Sequence, residues 1–183
     1  MDAARELFIK EGIEATSIEE VTETAGYSRG AFYSNFTTKD DLVCAVLERE
    51  MRVSHDQIRE AFSRDMPLPE RLAAIRALYV SMGCDVKGCT FFVAMQLYAL
   101  RSEAVRPRIA ALLRSSYTAI AGLVRRAFEE LGKEPPAPPM VVAYSLLAQS
   151  QGLAIARLVD PGSIATEQFE HALGVYFDRL IGL

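Results

Sequence analysis

Between Thr16 and Lys39 the chain gathers a set of polar side chains whose types suit recognition rather than catalysis. The set is Thr16, Ser17, Ser28, Arg29, Tyr33, Ser34, Asn35 and Lys39, with the small residues Gly30 and Ala31 beside the arginine. Hydroxyls, an amide, a guanidinium and an ammonium can bond phosphate oxygens and base edges, and an arginine can grip a guanine edge with two hydrogen bonds. From Thr24 to Lys39 no acidic residue interrupts the run. Bond-making chemistry has no comparable set. No nucleophile–base pair or phosphate loop stands at recognisable spacing, so the chain is not read as an enzyme. The two histidines, His55 and His171, are far apart and have no cysteine or carboxylate cluster at ligand spacing. A zinc site is therefore not expected, nor is any cofactor.

The elements that must hold these groups are short helices. Ser17-x-x-Glu20 has the spacing of a capping box, and Ile18, Val21 and Ala25 follow on one face. Gly26 permits the left-handed backbone that ends a helix. Ser28 caps the next, which carries Arg29 to Phe36 and turns Phe32 and Phe36 toward Ile18, Val21 and Leu42. Two short helices joined by about three residues with a glycine make a helix-turn-helix, whose second helix enters the major groove of DNA. A helix over 2–11, with Ala4, Leu7 and Phe8 inward and Gly12 as its stop, precedes them. Thr38 caps a long fourth helix to about residue 64, in which Leu42, Val43, Val46, Leu47, Met51, Ile58 and Phe62 keep the helical period. Nothing in it resembles a flexible linker, so it reads as a rigid rod.

Beyond Met66-Pro67-Leu68-Pro69 the pattern restarts, since proline is tolerated in a first helical turn. A fifth helix holds Leu72, Ile75, Leu78, Tyr79 and Met82; a loop is expected from Gly83 to Gly88; and a sixth helix runs from Cys89 to Arg101. A seventh covers about Glu103 to Leu131, with Pro107 in its first turn. The stiff KEPPAPP segment then leads to an eighth over Met140 to Val159 and a ninth over about 165–181. No alternating strand pattern, repeat or low-complexity tract occurs. The expected fold is all-α with about nine helices. A three-helix DNA-binding domain over 1–47 is followed by a larger helical domain over 48–183 for effector binding and dimerisation.

Net charge is −4, and residues 1–50 hold five basic against eleven acidic side chains, a net of −6. The balance predicts weak non-specific binding to DNA and acidic outer faces that disfavour all but one docking orientation. No stretch is apolar for long enough to cross a bilayer, and the charged, helical start does not resemble a signal peptide. A cytoplasmic protein with no membrane partner is expected. Cys44, Cys84 and Cys89 form no disulfide framework. Cys84 and Cys89 have spacing open to a redox pair, but reduced, half-buried thiols are the favoured reading.

Residues 7–47, carried by LFIKEGIEATSIEEVTETAGYSRGAFYSNFTTKDDL, resemble the DNA-binding domain of the tetracycline-repressor (TetR) family of bacterial transcription regulators. The resemblance lies in Phe-x-x-x-Gly closing the first helix and Thr-Ser opening the second. It continues in Ala-Gly-Tyr-Ser at the turn, Gly-x-Phe-Tyr-x-x-Phe and the lysine before the fourth helix. Relatives often carry a basic arm before the first helix, whereas this sequence opens on Met1-Asp2. The resemblance implies a homodimer that binds a palindromic operator in double-stranded DNA and responds to a small-molecule effector, most simply as a repressor. Arg29 would read a base, and Tyr33 would give its hydroxyl to a phosphate. Asn35 would serve either, and Ser17 and Lys39 would anchor phosphates. Gly30 and Ala31 would keep the surface low.

For the effector pocket the candidates are Phe62, Tyr79, Met82, Phe91, Phe92, Met95, Gln96, Tyr98, Tyr117, Tyr144 and Gln149. Gln96 and Gln149, each on an apolar helix, need hydrogen-bond partners. With no charge on the inward faces, the effector is expected to be mostly apolar. Tyr144, Ala148, Gly152 and Ala156 recur every four residues, and with Phe169, Leu173, Tyr176 and Phe177 they are expected at the dimer interface. The alternative is a helical small-molecule carrier or sensor whose helix-turn-helix does not bind DNA.

Overall fold

The structure, a computed structural model, describes residues 1–182. Among the described residues it contains nine α-helices and no strand. They are α1 (Asp2–Glu11), α2 (Ile18–Thr24), α3 (Arg29–Tyr33), α4 (Lys39–Ser63), α5 (Leu68–Cys84), α6 (Val86–Arg101), α7 (Arg106–Leu131), α8 (Pro139–Val159) and α9 (Thr166–Ile181). The all-helical expectation holds. Two local readings are corrected. The recognition helix ends at Tyr33, and Ser34 and Asn35 form a turn. The expected loop from Gly83 to Gly88 shrinks to Asp85, across which α5 and α6 meet at a 68° bend.

Gly83 misleads because it serves packing, not flexibility. A Cβ there would lie 2.6 Å from Leu173 Cδ1, so the missing side chain lets α9 approach α5 closely. Beside that contact, Arg76 donates to Asp178 at 2.7 Å and ties the same two helices. No single helix among the described residues is long and apolar enough to cross a membrane.

The chain divides into two compact units, Met1–Arg52 with Thr90–Leu112 and Val53–Cys89 with Leu113–Leu183. In the first, Phe8, Ile13, Val43, Val46, Leu47 and Phe91 have no more than trace exposure, and Val105 and Ile109 join them. Burying each such side chain stabilises the fold by about 1.5–3 kcal/mol. Polar ties reinforce this unit. Arg5 donates to Glu50 at 2.8 Å and lies over the Phe91 ring, Arg108 donates to Asp41 at 2.8 Å, and the Tyr98 hydroxyl bonds Asp40. The second unit is built on Phe62, Leu72, Val124, Ala127, Phe128, Val142, Leu146, Phe177 and Ile181. A smaller cluster there joins Ala154, Phe169 and Leu173.

Candidate DNA-reading surface and a cavity in the second unit

The helix-turn-helix is fixed by its own backbone chemistry. Ser17 Oγ accepts from Glu20 N at 3.1 Å, and Glu20 Oε2 accepts from Ser17 N at 2.7 Å, a complete capping box at the start of α2. Those bonds to Ser17 hold the Glu20 carboxyl below the usual carboxylate range. At the other end Gly26 has φ +70°, Tyr27 N donates to Thr22 O at 2.8 Å, and Gly26 N donates to Glu23 O at 3.1 Å. This paired closure requires a left-handed residue, so only glycine fits without strain. Ser28 Oγ then accepts from Ala31 N at 3.2 Å and starts α3.

Helix α3 buries only Phe32 and leaves the rest of its surface open. Ser28, Arg29, Gly30, Tyr33, Ser34 and Asn35 are exposed, with Tyr33 at 50% and Tyr27 beside them at 70%; Ala31 is half-buried. Phe36, expected in the core, is also half-buried, its ring 5.5 Å from that of Phe32. Arg29 does not extend freely. Its Nη1 pairs with Glu19 on α2 at 2.8 Å, and its guanidinium lies 6.0 Å from the Tyr33 ring centre. The Tyr33 hydroxyl, and next the Glu19 carboxylate, raise the arginine pKa above its ordinary value. Glu19 was not among the residues singled out in the sequence. Its pairing with Arg29 arises because the turn brings α2 against α3, and residue spacing along the chain does not signal it. Two other side chains turn inward on their own helix: Ser34 Oγ donates to Gly30 O at 2.9 Å, and Asn35 Nδ2 to Ala31 O at 2.9 Å.

Two residues of the expected DNA-binding set, Thr16 and the phosphate anchor Lys39, are turned into the fold. Thr16 is 1% exposed, and its hydroxyl donates to Gly12 O at 2.7 Å, closing the turn after α1. Lys39 Nζ donates to Ile13 O at 2.8 Å, Thr16 O at 3.0 Å and Glu14 O at 3.2 Å. An ammonium has three N–H groups, and all three point at these carbonyls. Lys39 therefore ties the start of α4 to the segment between α1 and α2. Ser17 is constrained too, because its hydroxyl donates to Glu20 Oε2 at 2.7 Å.

In the second unit a cavity of about 320 Å³ is lined by Gly83, Cys84, Val86, Cys89, Ala154, Arg157, Leu158, Pro161 and Phe169. None of the expected effector contacts is in that lining. Phe91 and Met95 are buried in the first unit, and Phe92, Gln96 and Tyr98 also belong to it. Phe62 is core. The Tyr79 hydroxyl donates to Leu146 O at 2.9 Å and lies 3.2 Å from Gln149 Oε1, while Gln149 Nε2 donates to Ala172 O at 3.3 Å. This network satisfies the glutamine within the fold, and burial raises the Tyr79 pKa. Met82 is half-buried at the end of α5. Tyr117 and Tyr144 pack with ring centres 4.5 Å apart.

The expected dimer surface splits. Tyr144, Ala148, Gly152 and Ala156 are exposed along α8, accompanied by Val141, Ile155 and Val159. Phe169, Leu173 and Phe177 are corrected to core residues of the chain itself, at 0%, 0% and 4% exposure; Tyr176 is half-buried.

Residues 1–46 match the family model of bacterial regulatory proteins of the tetR family, and residues 90–182 match that of the C-terminal domain of BetI-type transcriptional repressors. The chain belongs to the tetR family. A probable HTH-type transcriptional regulator, ArpR of Pseudomonas putida, is 32% identical over 82 residues, 45% of this chain and 38% of that protein. The chain thus spans well under two thirds of the curated relatives it matches. A solved transcriptional regulator from Rhodococcus sp. Rha1 superposes with a TM-score of 0.79 at 23% identity, covering 99% of this chain and 93% of that one. A complex of SmeT with triclosan gives a TM-score of 0.70 at 20% identity, covering 97% and 87%. At these identities the likeness concerns the fold. Both structures share the arrangement of a helix-turn-helix unit followed by a helical C-terminal part, the architecture expected for the family.

Proposed function

We propose that this tetR-family chain is a sequence-specific DNA-binding transcriptional regulator, a homodimeric repressor released from a palindromic operator by a small, mostly apolar effector. The observation that carries the reading is the α3 surface. A rigidly capped turn presents Arg29, Gly30, Tyr33, Ser34 and Asn35 to solvent, with no carboxylate on α3 itself. Arg29 would exchange Glu19 for a guanine edge, and Tyr33 would meet a phosphate. With Thr16 and Lys39 committed inside the fold, few cationic contacts remain, so two copies must act together. The exposed apolar stripe of α8 supports pairing of two chains, since a helix face of small residues lets a partner approach closely. A C2 dimer would place two α3 helices one DNA turn apart. Effector release supports itself on family membership and on SmeT, a structural neighbour solved with triclosan.

A gel-shift titration against the DNA flanking the chain's own gene tests this reading. Binding to a palindromic segment at low salt, falling steeply as salt rises, is the expected result. Absence of any binding at low salt overturns it in favour of a small-molecule carrier.

A further inference from the structure

The DNA-reading surface carries an acid in direct contact with its arginine. Glu19 stands in the first turn of α2, and its Oε1 lies 2.8 Å from Arg29 Nη1. The two side chains are 55% and 61% exposed, so the pair lies on the open face and not in the packing between α2 and α3. The neighbouring Glu20 is committed to the fold, accepting from Ser17 N and from Ser17 Oγ, each at 2.7 Å. Glu19 takes no part in that capping box and bonds instead the residue expected to read a base.

The first helix of such a motif crosses the DNA backbone, but the tip of Glu19 reaches the guanidinium itself and so reaches what the guanidinium reaches. Successive bases are about 3.4 Å apart along a strand. A carboxylate 2.8 Å from the guanidinium therefore stands within reach of the base pair beside the guanine that Arg29 would take. Phosphates meet it only with like charge, so on DNA the acid is repelled or accepts from a base amino group. The base edges in the major groove differ in what they offer. Thymine and guanine present acceptors, which a carboxylate cannot bond. Adenine sets its amino donor beside the N7 acceptor, which opposes the second carboxylate oxygen. Cytosine presents an amino donor with no acceptor of its own alongside, and it is the base that suits a glutamate.

We infer that Glu19 is a second base-reading residue, accepting from the N4 amino group of a cytosine in the base pair next to the guanine gripped by Arg29. In the free chain the two side chains hold each other, and on DNA each exchanges the other for a base. Both helices of the helix-turn-helix thus supply a reader. The acid also acts against wrong sequences, because facing thymine or guanine it is left unpaired among phosphates. The inference rests on the regulator reading, since without DNA the pair is only a surface contact.

The test exposes the full chain to a pool of double-stranded DNA randomised over its centre, at one low salt concentration, and sequences what is retained. The parent, Arg29→Ala, Glu19→Gln, Glu19→Ala and Glu23→Gln are run side by side. Glu23 is an exposed acid one helical turn further along α2, so its variant removes the same charge and reports that effect alone. In the parent each half-site is expected to show a guanine with a cytosine beside it, each favoured about tenfold. Arg29→Ala should lose that guanine and so identify it. Glu19→Gln should keep the guanine and switch the cytosine to adenine, because an amide pairs with N6 and N7 of adenine. Glu19→Ala should lose the cytosine preference without gaining adenine. Glu23→Gln should tighten all sequences alike and keep the cytosine. Survival of the cytosine preference in either Glu19 variant overturns the inference and leaves Glu19 as a repelling charge. A parent motif with no cytosine beside the Arg29 guanine overturns it too, with the regulator reading intact. A parent that retains no sequence over another overturns the regulator reading and the inference with it.

Discussion

Replacing Lys39 with methionine separates a structural ammonium from a DNA-binding one. Methionine keeps the length and apolar stem of lysine but removes the three N–H groups that reach Ile13 O, Glu14 O and Thr16 O. A hydrogen bond involving a charged group contributes about 1.5–3 kcal/mol. The three bonds share one ammonium, and the bond to Glu14 O is exposed while the other two are part-buried. Counting only those two, at the low end of the range, gives a loss of about 3 kcal/mol. For a chain of this length that lowers Tm by about 6–12 °C. Thermal unfolding followed by circular dichroism without DNA reads the effect directly. Lys39→Arg should fail to restore stability, because a planar fork cannot aim at three converging carbonyls. A phosphate anchor would behave differently. Its loss would leave Tm within about 1 °C of the parent and lower the salt slope of DNA binding by about one. That second pattern would refute the assignment of Lys39 to the fold.

Other perturbations probe the remaining elements. Arg29→Ala should cost about 1–3 kcal/mol of binding to the preferred operator while leaving scrambled DNA nearly unaffected, and equal losses on both by gel shift would remove Arg29 as a base reader. Glu19→Gln frees Arg29 and removes a negative charge near the DNA, so scrambled DNA should bind more tightly and the specificity ratio should fall; an unchanged ratio counts against the pairing. His55 has its pKa lowered first by burial, with Asp56 and Arg59 nearby, and its Nε2 lies 2.7 Å from Ser116 Oγ. The folded chain thus resists a proton that the unfolded chain accepts. The stability contributed is complete above the unfolded pKa of about 6.5 and is lost as pH falls from there toward the folded value. His55→Gln should flatten that stretch of the Tm–pH curve, and an unaltered slope would show that another group titrates there. Gly83→Ala should destabilise by about 1–3 kcal/mol through the clash with the buried Leu173 side chain, and a neutral outcome in urea unfolding would show that α9 yields. Ala148→Glu, on the exposed stripe of α8, should shift the chain to a monomer in sedimentation with its helical content intact; a persistent dimer would move the interface elsewhere.

What the sequence made legible was the part of the fold governed by near neighbours. Ser17-x-x-Glu20, Gly26 and Ser28 announce their caps because a capping bond spans three residues, and the structure forms each one. The same locality explains the errors. Gly83 and Gly88 look like breakers when only their neighbours are considered. The reason for Gly83 lies ninety residues away, in Leu173. Phe169, Leu173 and Phe177 share an apolar face with the period of an interface. Periodicity reports that a face is covered, not whether its own chain or a second copy covers it. Helical spacing likewise does not encode that Phe91 and Met95 pack in the unit that holds the helix-turn-helix, which is a long-range assignment.

Lys39 shows why types and spacing mislead even where the fold is correct. Lys39 stands where a phosphate anchor was expected, and a lysine there looks the same in sequence whether it faces DNA or three carbonyls. In the structure the ammonium donates to three carbonyls of the chain. Satisfaction of hydrogen-bond capacity therefore separates structural charges from functional ones better than position in a motif does. By that criterion Arg29 occupies a middle place. Its bond to Glu19 is exposed and thus cheap to exchange, since solvent screens a surface ion pair. A guanine edge offers two hydrogen bonds in its place, so the Arg29–Glu19 pair can hold the reader in position when DNA is absent and release it at little cost when DNA arrives.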